Sequence, residues 1–519
     1  IIKGTIQSAV LANTISGRAD LNNLQFSNIK LEPATKIGSD AYAAGGIIAS
    51  TMEDVMSISN ITIENCEIEI GNISDALYIG AIAGKNNTTS ISYVKINNVK
   101  VENLTITANS GISGELNVGG MFGETSGKYD FKNSQVIGSR LNVGLTKRDG
   151  KENFESDQEI SVGGFVGNAQ GNYSTVHEIN NNTNLTEVTI TIDEAATTYA
   201  GLLFGSVGTL ITNHGDNPSF QGTIQNAVDN ETKKPTTLVI GGSAGNATIF
   251  GMSANLTVGD LATKTYQVKD KNGQTTETII SSVGSVFGYV GEATIGEGNN
   301  EIRYYKNITI TGSDSSAAGS DSSESNNAIA IGGLIGRATG KLTLSNSGYY
   351  GDLTIRYIAT TRYIGGLVGR VEGELKLDEV AFGESKDGST TGSIKIERVD
   401  GASDGDSSTT YVGGLVGFAK EKATIKNASV MGDISFPHYY DGTTSADGTP
   451  IAISVNSTVN VGLVAGVLTN KGENEIKNAQ VGGNILFGNA TIQGTINAGA
   501  LVGTFNGGTI SGSYAWGKC

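Results

Sequence analysis

The chain has 519 residues, with 51 Asp and Glu against 35 Lys and Arg, and a net charge of −16 at pH 7. A surface of that sign repels phosphate backbones, which excludes nucleic acid as a partner, and no run of 18 apolar residues is present to form a membrane-spanning helix. Gly 73 is about twice ordinary usage and Pro 5 is far below it; with no sustained 3.6-residue apolar period, almost no helix is expected and most residues should sit in ladders that need their N–H groups.

In chain order, Gly4–Val10 (GTIQSAV) returns as Gly222–Val228 (GTIQNAV). The sequence therefore opens inside a repeat and is expected to be part of a longer array. A glycine motif then recurs at Ala44–Ala49, Ile79–Gly84, Val118–Gly123, Val162–Gly167, Ala200–Gly205, Ile240–Gly245, Val283–Gly288, Ile331–Gly336, Ile364–Gly369, Val412–Gly417, Val461–Gly466 and Ala498–Gly503. The twelve copies stand 33 to 49 residues apart, and a period in this range marks a solenoid. The second motif position is always glycine: Gly45, Gly80, Gly119, Gly163, Gly201, Gly241, Gly284, Gly332, Gly365, Gly413, Gly462 and Gly499. Read as one alternating strand, the motif is apolar on both faces, as for a strand covered on both sides. The glycines answer either close approach of another backbone or the ending of strands.

After most motifs an apolar residue is followed two positions on by Asn: Phe26/Asn28, Ile63/Asn65, Ile96/Asn98, Phe131/Asn133, Leu344/Asn346, Ile425/Asn427 and Ile476/Asn478. Asn tolerates positive φ and suits a sharp bend, and stacked Asn amides form a ladder along an axis. The shortest repeat holds three strand-like runs, 341–345, 352–358 and 362–369. The expected fold is all-β: a right-handed parallel β-helix of about twelve coils with three short strands each. It is read as one continuous solenoid over 1–519, regular at 1–205 and 331–519 and degenerate at 206–330.

Insertions fall mostly before the glycine motif, which places them along one edge of the solenoid. They are 146–161, the Ser/Asp-rich 312–327, 399–410 and 436–450. Residues 264–277 read as a hairpin with Asp270–Gly273 at its tip. Only the 436–450 loop carries an aromatic cluster. Phe436, His438, Tyr439 and Tyr440 are accordingly the candidate binding residues, since such side chains stack on sugars or pack into a protein partner.

Catalytic chemistry is weakly written. Cys66 and Cys519 lie near opposite ends and are not expected to pair, and three histidines with no CxxC spacing make no zinc site. No metal or cofactor is expected; Ca²⁺ is the one candidate, through Asp400, Asp404 and Asp406 or Asp314 and Asp321, which lack an ordered ligand spacing. Asp352, Asp378, Glu397 and Asp433 with Lys376 or Lys395 are the carboxylates and bases that a β-helix carbohydrate enzyme would need on one face, and nothing in the spacing singles them out. Thr-x-Thr runs such as Thr189-Ile190-Thr191 and Thr309-Ile310-Thr311 are not expected to share a column.

The Gly-Leu-hydrophobic-Gly core at Gly333–Gly336, Gly366–Gly369 and Gly414–Gly417, followed by I-K-N-A-x-V-x-G-x-I, resembles the GLUG-motif repeats of large secreted or surface-anchored bacterial proteins. These include adhesin-like proteins and IgA-cleaving metalloproteases. The resemblance covers nearly the whole chain and implies an extracellular β-solenoid at the cell surface. It does not bring a catalytic role, because the proteases' zinc motif is absent from these residues. The expectation is a non-enzymatic stalk or adhesive segment whose partners are host or neighbouring-cell glycans or proteins, or copies of itself. Two alternatives stand beside it. One is a self-assembling fibre or sheath subunit with Leu334, Leu367 and Leu415 facing outward. The other is a polysaccharide-active β-helix enzyme.

Overall fold

A computed structural model describes residues 2–4, 7–33, 42–71, 76–89, 93–148, 150–151, 154–155, 157–169, 176–180, 183–193, 195, 197–207, 209–212, 219–226, 237–240, 243–244, 253–263, 266–269, 275–279, 281–291, 293–295, 303–304, 307–314, 328–358, 361–384, 391–397, 409–436, 451–453, 457–487, 491–492 and 494–517. Among them there are strands, bends and turns and no helix. The strands pair in parallel, except for the expected hairpin of Tyr266–Lys269 with Thr275–Ile279 and an isolated antiparallel bridge between Glu384 and Thr391. The chain divides into two compact units, Ile1–Asn255 with Tyr266–Ile279, and Leu256–Thr265 with Ile280–Cys519.

Each unit repeats one coil. In the first unit a coil runs through Leu116–Gly119, Phe122–Ser126, Lys128–Lys132, Gln135–Ile137 and Arg140–Val143. In the second it runs through Thr361–Gly365, Val368–Val371, Leu375–Asp378, Ala381–Phe382 and Ile394–Ile396. These coils have five short strands where three were expected. Most strands pair with their equivalents in the next coil at a fixed register, as in Val118↔Val162 and Gly119↔Gly163, or Ile364↔Val412 and Gly365↔Gly413, and the register shifts within a few pairs, as between Thr107 and Ser110 or between Leu185 and Val188. Parallel pairing at constant register keeps every apolar column continuous, so Ile331, Ile364, Val412 and Val461 are all fully buried one above another.

The glycine motif is not one strand. Thr361–Gly365 ends at the first glycine, Gly366 and Leu367 make a bend, and Val368–Val371 begins a strand of a different sheet. Leu334, Leu367 and Leu415 are completely buried at this bend, so they are core and not the outward column that the fibre reading required. Both explanations for the glycines hold. The first glycine ends a strand, and the others admit close neighbours. A Cβ on Gly366 would lie 2.7 Å from Cγ of Phe382, and one on Gly369 would lie 2.6 Å from the Ile331 nitrogen of the preceding coil. Neither position has room for a methyl group.

Register corrects the first copy by one residue. Gly45 pairs with Ile79 and Gly46 with Gly80, so Gly46 holds the glycine column and the copy is 45–50. Gly119, Gly163 and Gly201 stand in register in the first unit, as do Gly284, Gly332, Gly365, Gly413, Gly462 and Gly499 in the second. Gly241 lies outside the described residues.

The asparagines form two columns in the first unit where one was expected. Asn23, Asn60, Asn98 and Asn133 make one, and Asn28, Asn65 and Asn103 make the other, continued by Gly138. All have φ between 49° and 59°, the left-handed region that Asn and Gly tolerate best. Asn65 therefore belongs with Asn103, not with Asn98. In the second unit Asn346, Asn427 and Asn478 share a single column with Glu379 at φ 54°. The expected ladder is present only in pairs: Asn98 Nδ2 donates to Asn60 Oδ1 at 2.8 Å, Asn103 Nδ2 to Asn65 Oδ1 at 3.1 Å and Asn478 Nδ2 to Asn427 Oδ1 at 3.1 Å, whereas Asn60 and Asn133 donate to Asn22 Oδ1 and Asn97 Oδ1, one residue outside the column.

Candidate binding seam

On either side of each glycine bend, two further columns of side chains lie beside the Val/Ile column, several of them buried, among them Ala330, Asn117 and Arg337. They come from the residue two before the first motif glycine and the residue just after the last. Because the strands leaving the bend approach each other at glycine distance, these columns meet along a narrow seam. In the first unit the seam is polar. The Lys85 ammonium lies 4.6 Å from the centre of the Tyr78 ring and 2.8 Å from Glu124 Oε1, Asn117 donates to Glu115 and Glu124, and Ser161 and Ser206 share a hydrogen bond.

In the second unit the seam is aromatic and cationic. Tyr363 and Tyr411, in register on adjacent coils, stack at 5.1 Å with their planes 5° apart, and Phe418 meets both edge-on at 5.4 and 5.3 Å. The Arg370 guanidinium lies 4.7 Å from the Tyr363 ring centre and 5.8 Å from that of Phe418, a cation–π arrangement. Glu372 Oε1 accepts from Arg337 Nε at 2.9 Å, lies 2.8 Å from Arg337 Nη2 and 3.2 Å from Arg370 Nε. One carboxylate oxygen thus serves two guanidiniums. Burial pushes the Tyr363 and Tyr411 phenols above their ordinary value, while the positive charge of Arg370 pulls on both in the opposite direction.

The stack constrains what can bind. Tyr363 lies in register with Ala330 on one side and Tyr411 on the other, and Tyr411 with the buried Asn460 beyond it. Tyr411 and Arg370 cover the Tyr363 ring, and Tyr363 covers one face of Tyr411, so edges and hydroxyls are what the stack chiefly offers a ligand. That geometry suits hydrogen bonding and charge rather than the stacking of a sugar on an open aromatic face. Arg362, on the same strand, joins instead the column of Ile329, Thr410 and Val459 and donates from Nε to Thr410 Oγ1 at 3.0 Å; desolvation lowers its guanidinium to about 10.

The residues singled out from sequence fall elsewhere. Phe436 closes the strand Ile434–Phe436, is 6% exposed, and stacks on Phe487 at 4.9 Å. It is a packing residue and not part of a projecting loop. His438, Tyr439 and Tyr440 lie outside the described residues. Three of the four candidate carboxylates are held by groups of the next coil. Asp352 Oδ1 accepts from the Ser393 nitrogen and hydroxyl at 3.0 and 2.7 Å, Asp433 Oδ1 from the Asn484 nitrogen and amide at 2.7 and 2.8 Å, and Asp378 Oδ1 from Asn427 Nδ2 at 2.8 Å. These oxygens tie one coil to the next. Among the described residues no group of three His, Cys, Asp or Glu is placed to hold a metal ion; of the calcium candidates, Asp321, Asp400, Asp404 and Asp406 lie outside them and Asp314 ends the strand Ile308–Asp314. No helix among them is long and apolar enough to cross a membrane, which says nothing of β-barrels.

The Thr-x-Thr runs do not make a continuous column. In the first unit Thr105, Arg140, Thr189 and Thr223 are register partners, as are Thr107, Asn142, Thr191 and Gln225. Two such runs share one sheet, separated by Arg140 and Asn142 and followed by Gln225 in place of the second Thr. A signal for the seam is present in the sequence at fixed offsets, Tyr two before the first glycine and Arg or Phe after the last. A flat-strand reading of the motif hides it, because it sets the two positions far apart along one line. No protein-family model matches this chain, and none of the curated proteins or solved structures compared with it matches either.

Proposed function

We propose that this chain is an extracellular structural and adhesive repeat segment of a bacterial surface protein, folded as a right-handed parallel β-helix. It acts as a stalk and presents loops that bind glycan or protein. The observation that carries the reading is the coil-to-coil register of the glycine-motif strands, held from one coil to the next within each unit. Such an array resists unfolding through nearest-neighbour interfaces and leaves the connections free to vary. The sequence resemblance to surface-protein repeats points the same way, and three of the carboxylates an enzyme would use, Asp352, Asp378 and Asp433, are engaged in ties between coils.

The test is a screen of glycans and extracellular-matrix proteins against the chain and against a variant lacking residues 437–450, with Phe436 kept because it is core. Binding lost with the loop supports an adhesive module at that loop. Absence of binding by either form rejects the adhesive half of the reading and leaves the stalk.

A further inference from the structure

We propose that the Tyr363–Arg370–Tyr411 seam is an oxyanion site that takes the carboxylate or sulfate group of an acidic saccharide. The saccharide carrier rests on the adhesive reading; the oxyanion chemistry does not.

Three observations support it. First, the seam carries positive charge that its own residues only partly balance. Arg370 has a single ion-pair partner among the described residues, Glu372, and reaches it with Nε alone at 3.2 Å, too poorly aligned to count as a hydrogen bond. The same Glu372 oxygen already faces Arg337 through two nitrogens. A guanidinium presents five N–H donors in a rigid fork suited to carboxylate and sulfate geometry, and neither Nη atom of Arg370 has a protein acceptor among the described residues. Second, the Arg370 side chain is 21% exposed. It is thus reachable from solvent yet partly desolvated by Tyr363 and Phe418, where a charge-assisted bond is stronger than in open water. Third, the Tyr363 and Tyr411 hydroxyls have no protein partner among the described residues, which leaves two neutral donors on the stack that Arg370 covers.

The protein's overall charge does not oppose this. Exposed negative charges act over about 8–10 Å at physiological salt, whereas the seam's cation acts at contact. Acidic rather than neutral saccharides follow from the donor set: two phenols and a guanidinium supply donors, and Oε1 of the neighbouring Glu372 is already engaged by Arg337 and Arg370. The Tyr363 ring, covered by Tyr411 and Arg370, offers no open platform on which a neutral sugar would stack.

The test uses the intact chain and inorganic sulfate as probe, with chloride at matched ionic strength as reference. Saturable binding is followed by calorimetry and by the shift in unfolding midpoint. Sulfate is expected to bind the native chain and to raise its midpoint at low millimolar concentration. R370Q should bind at least about tenfold more weakly, and Y411F, which keeps the ring stack and removes one donor, severalfold more weakly. The exposed Lys420→Gln variant should match the native chain. Sulfate binding equal in native and R370Q overturns the proposal, as does the absence of saturable binding by the native chain. Should R370Q fail to fold, Y411F decides: unchanged sulfate affinity overturns the site.

Uronate, sulfated and neutral oligosaccharides of equal length then distinguish the carriers. Tighter binding of either acidic series, lost in R370Q, supports the proposal and identifies the group. Saccharide binding that survives intact in R370Q overturns the seam while leaving the adhesive reading standing. A sulfate response without any saccharide response keeps the oxyanion site and removes the adhesive carrier.

Discussion

Asn98 donates its side-chain amide to the side-chain carbonyl of Asn60, one coil earlier, at 2.8 Å, and the two residues hold left-handed backbone at φ 56° and 53°. One residue type thus performs two tasks at this corner. It tolerates the backbone conformation that turns the strand, and it ties successive corners through an amide that is donor and acceptor at once. The left-handed corner recurs from coil to coil, while the amide tie steps aside at the next coil, where Asn60 donates to Asn22 Oδ1 at 2.8 Å.

Glu379 occupies an asparagine position of the second unit at φ 54°. A Glu side chain in left-handed backbone costs about 1 kcal/mol more than Asn does, and it does not supply the two-sided amide. Glu379→Asn is therefore expected to stabilise by about 1 kcal/mol, read as a higher urea midpoint. A lower midpoint would show that the Glu side chain makes a contribution that outweighs the backbone cost.

At the bend, Gly366 faces the Phe382 ring and the Gly414 carbonyl so closely that any Cβ must displace backbone. Gly366→Ala is expected to lose about 3 kcal/mol, at the upper end for overpacking, and to open this coil to hydrogen exchange before its neighbours. Gly291, where an added methyl group would meet nothing within 4 Å, serves as control: its replacement by Ala should leave stability within about 0.5 kcal/mol of native. Equal effects at the two positions would remove close approach as the reason for the glycine.

Tyr129, Tyr304 and Tyr349 are fully buried in aromatic stacks, and burial raises all three phenols above the ordinary value. A phenol is neutral when protonated, and here the folded value lies above the unfolded one. The stability contributed is complete below about pH 10, where the unfolded phenol titrates, and is lost as pH climbs toward the folded values. Absorbance at the phenolate band should show the exposed tyrosines ionising first and these three only together with loss of the strand signal. Ionisation of all tyrosines in one step without unfolding would contradict their burial.

Cys66 is 2% exposed and its Sγ lies 3.3 Å from the Glu64 carbonyl oxygen. Desolvation raises the thiol above its ordinary value, which depletes the reactive thiolate. In the native protein at about pH 8, near the ordinary thiol value, alkylation at Cys66 is expected to be at least about tenfold slower than in urea, followed by mass spectrometry of the peptide that carries it. Equal rates would place this corner open to solvent.

The residues alone determined the repeat, the all-β class, the parallel stacking, the hairpin at 264–277 and the use of Asn at corners, because each follows from a local property. Gly and Asn tolerate backbone that other residues resist, and apolar periodicity marks strands one at a time. What only the tertiary structure decided is register and direction. Whether Asn65 aligns with Asn98 or with Asn103 depends on which strand it lies beside, and a shift of a few residues along a repeat leaves the local pattern almost unchanged. The glycine motif likewise reads as a flat strand until Phe382 is seen against Gly366 and Ile331 against Gly369. Folding at that bend turns Leu367 inward and brings Tyr363 and Arg370, seven residues apart, onto the two sides of one seam.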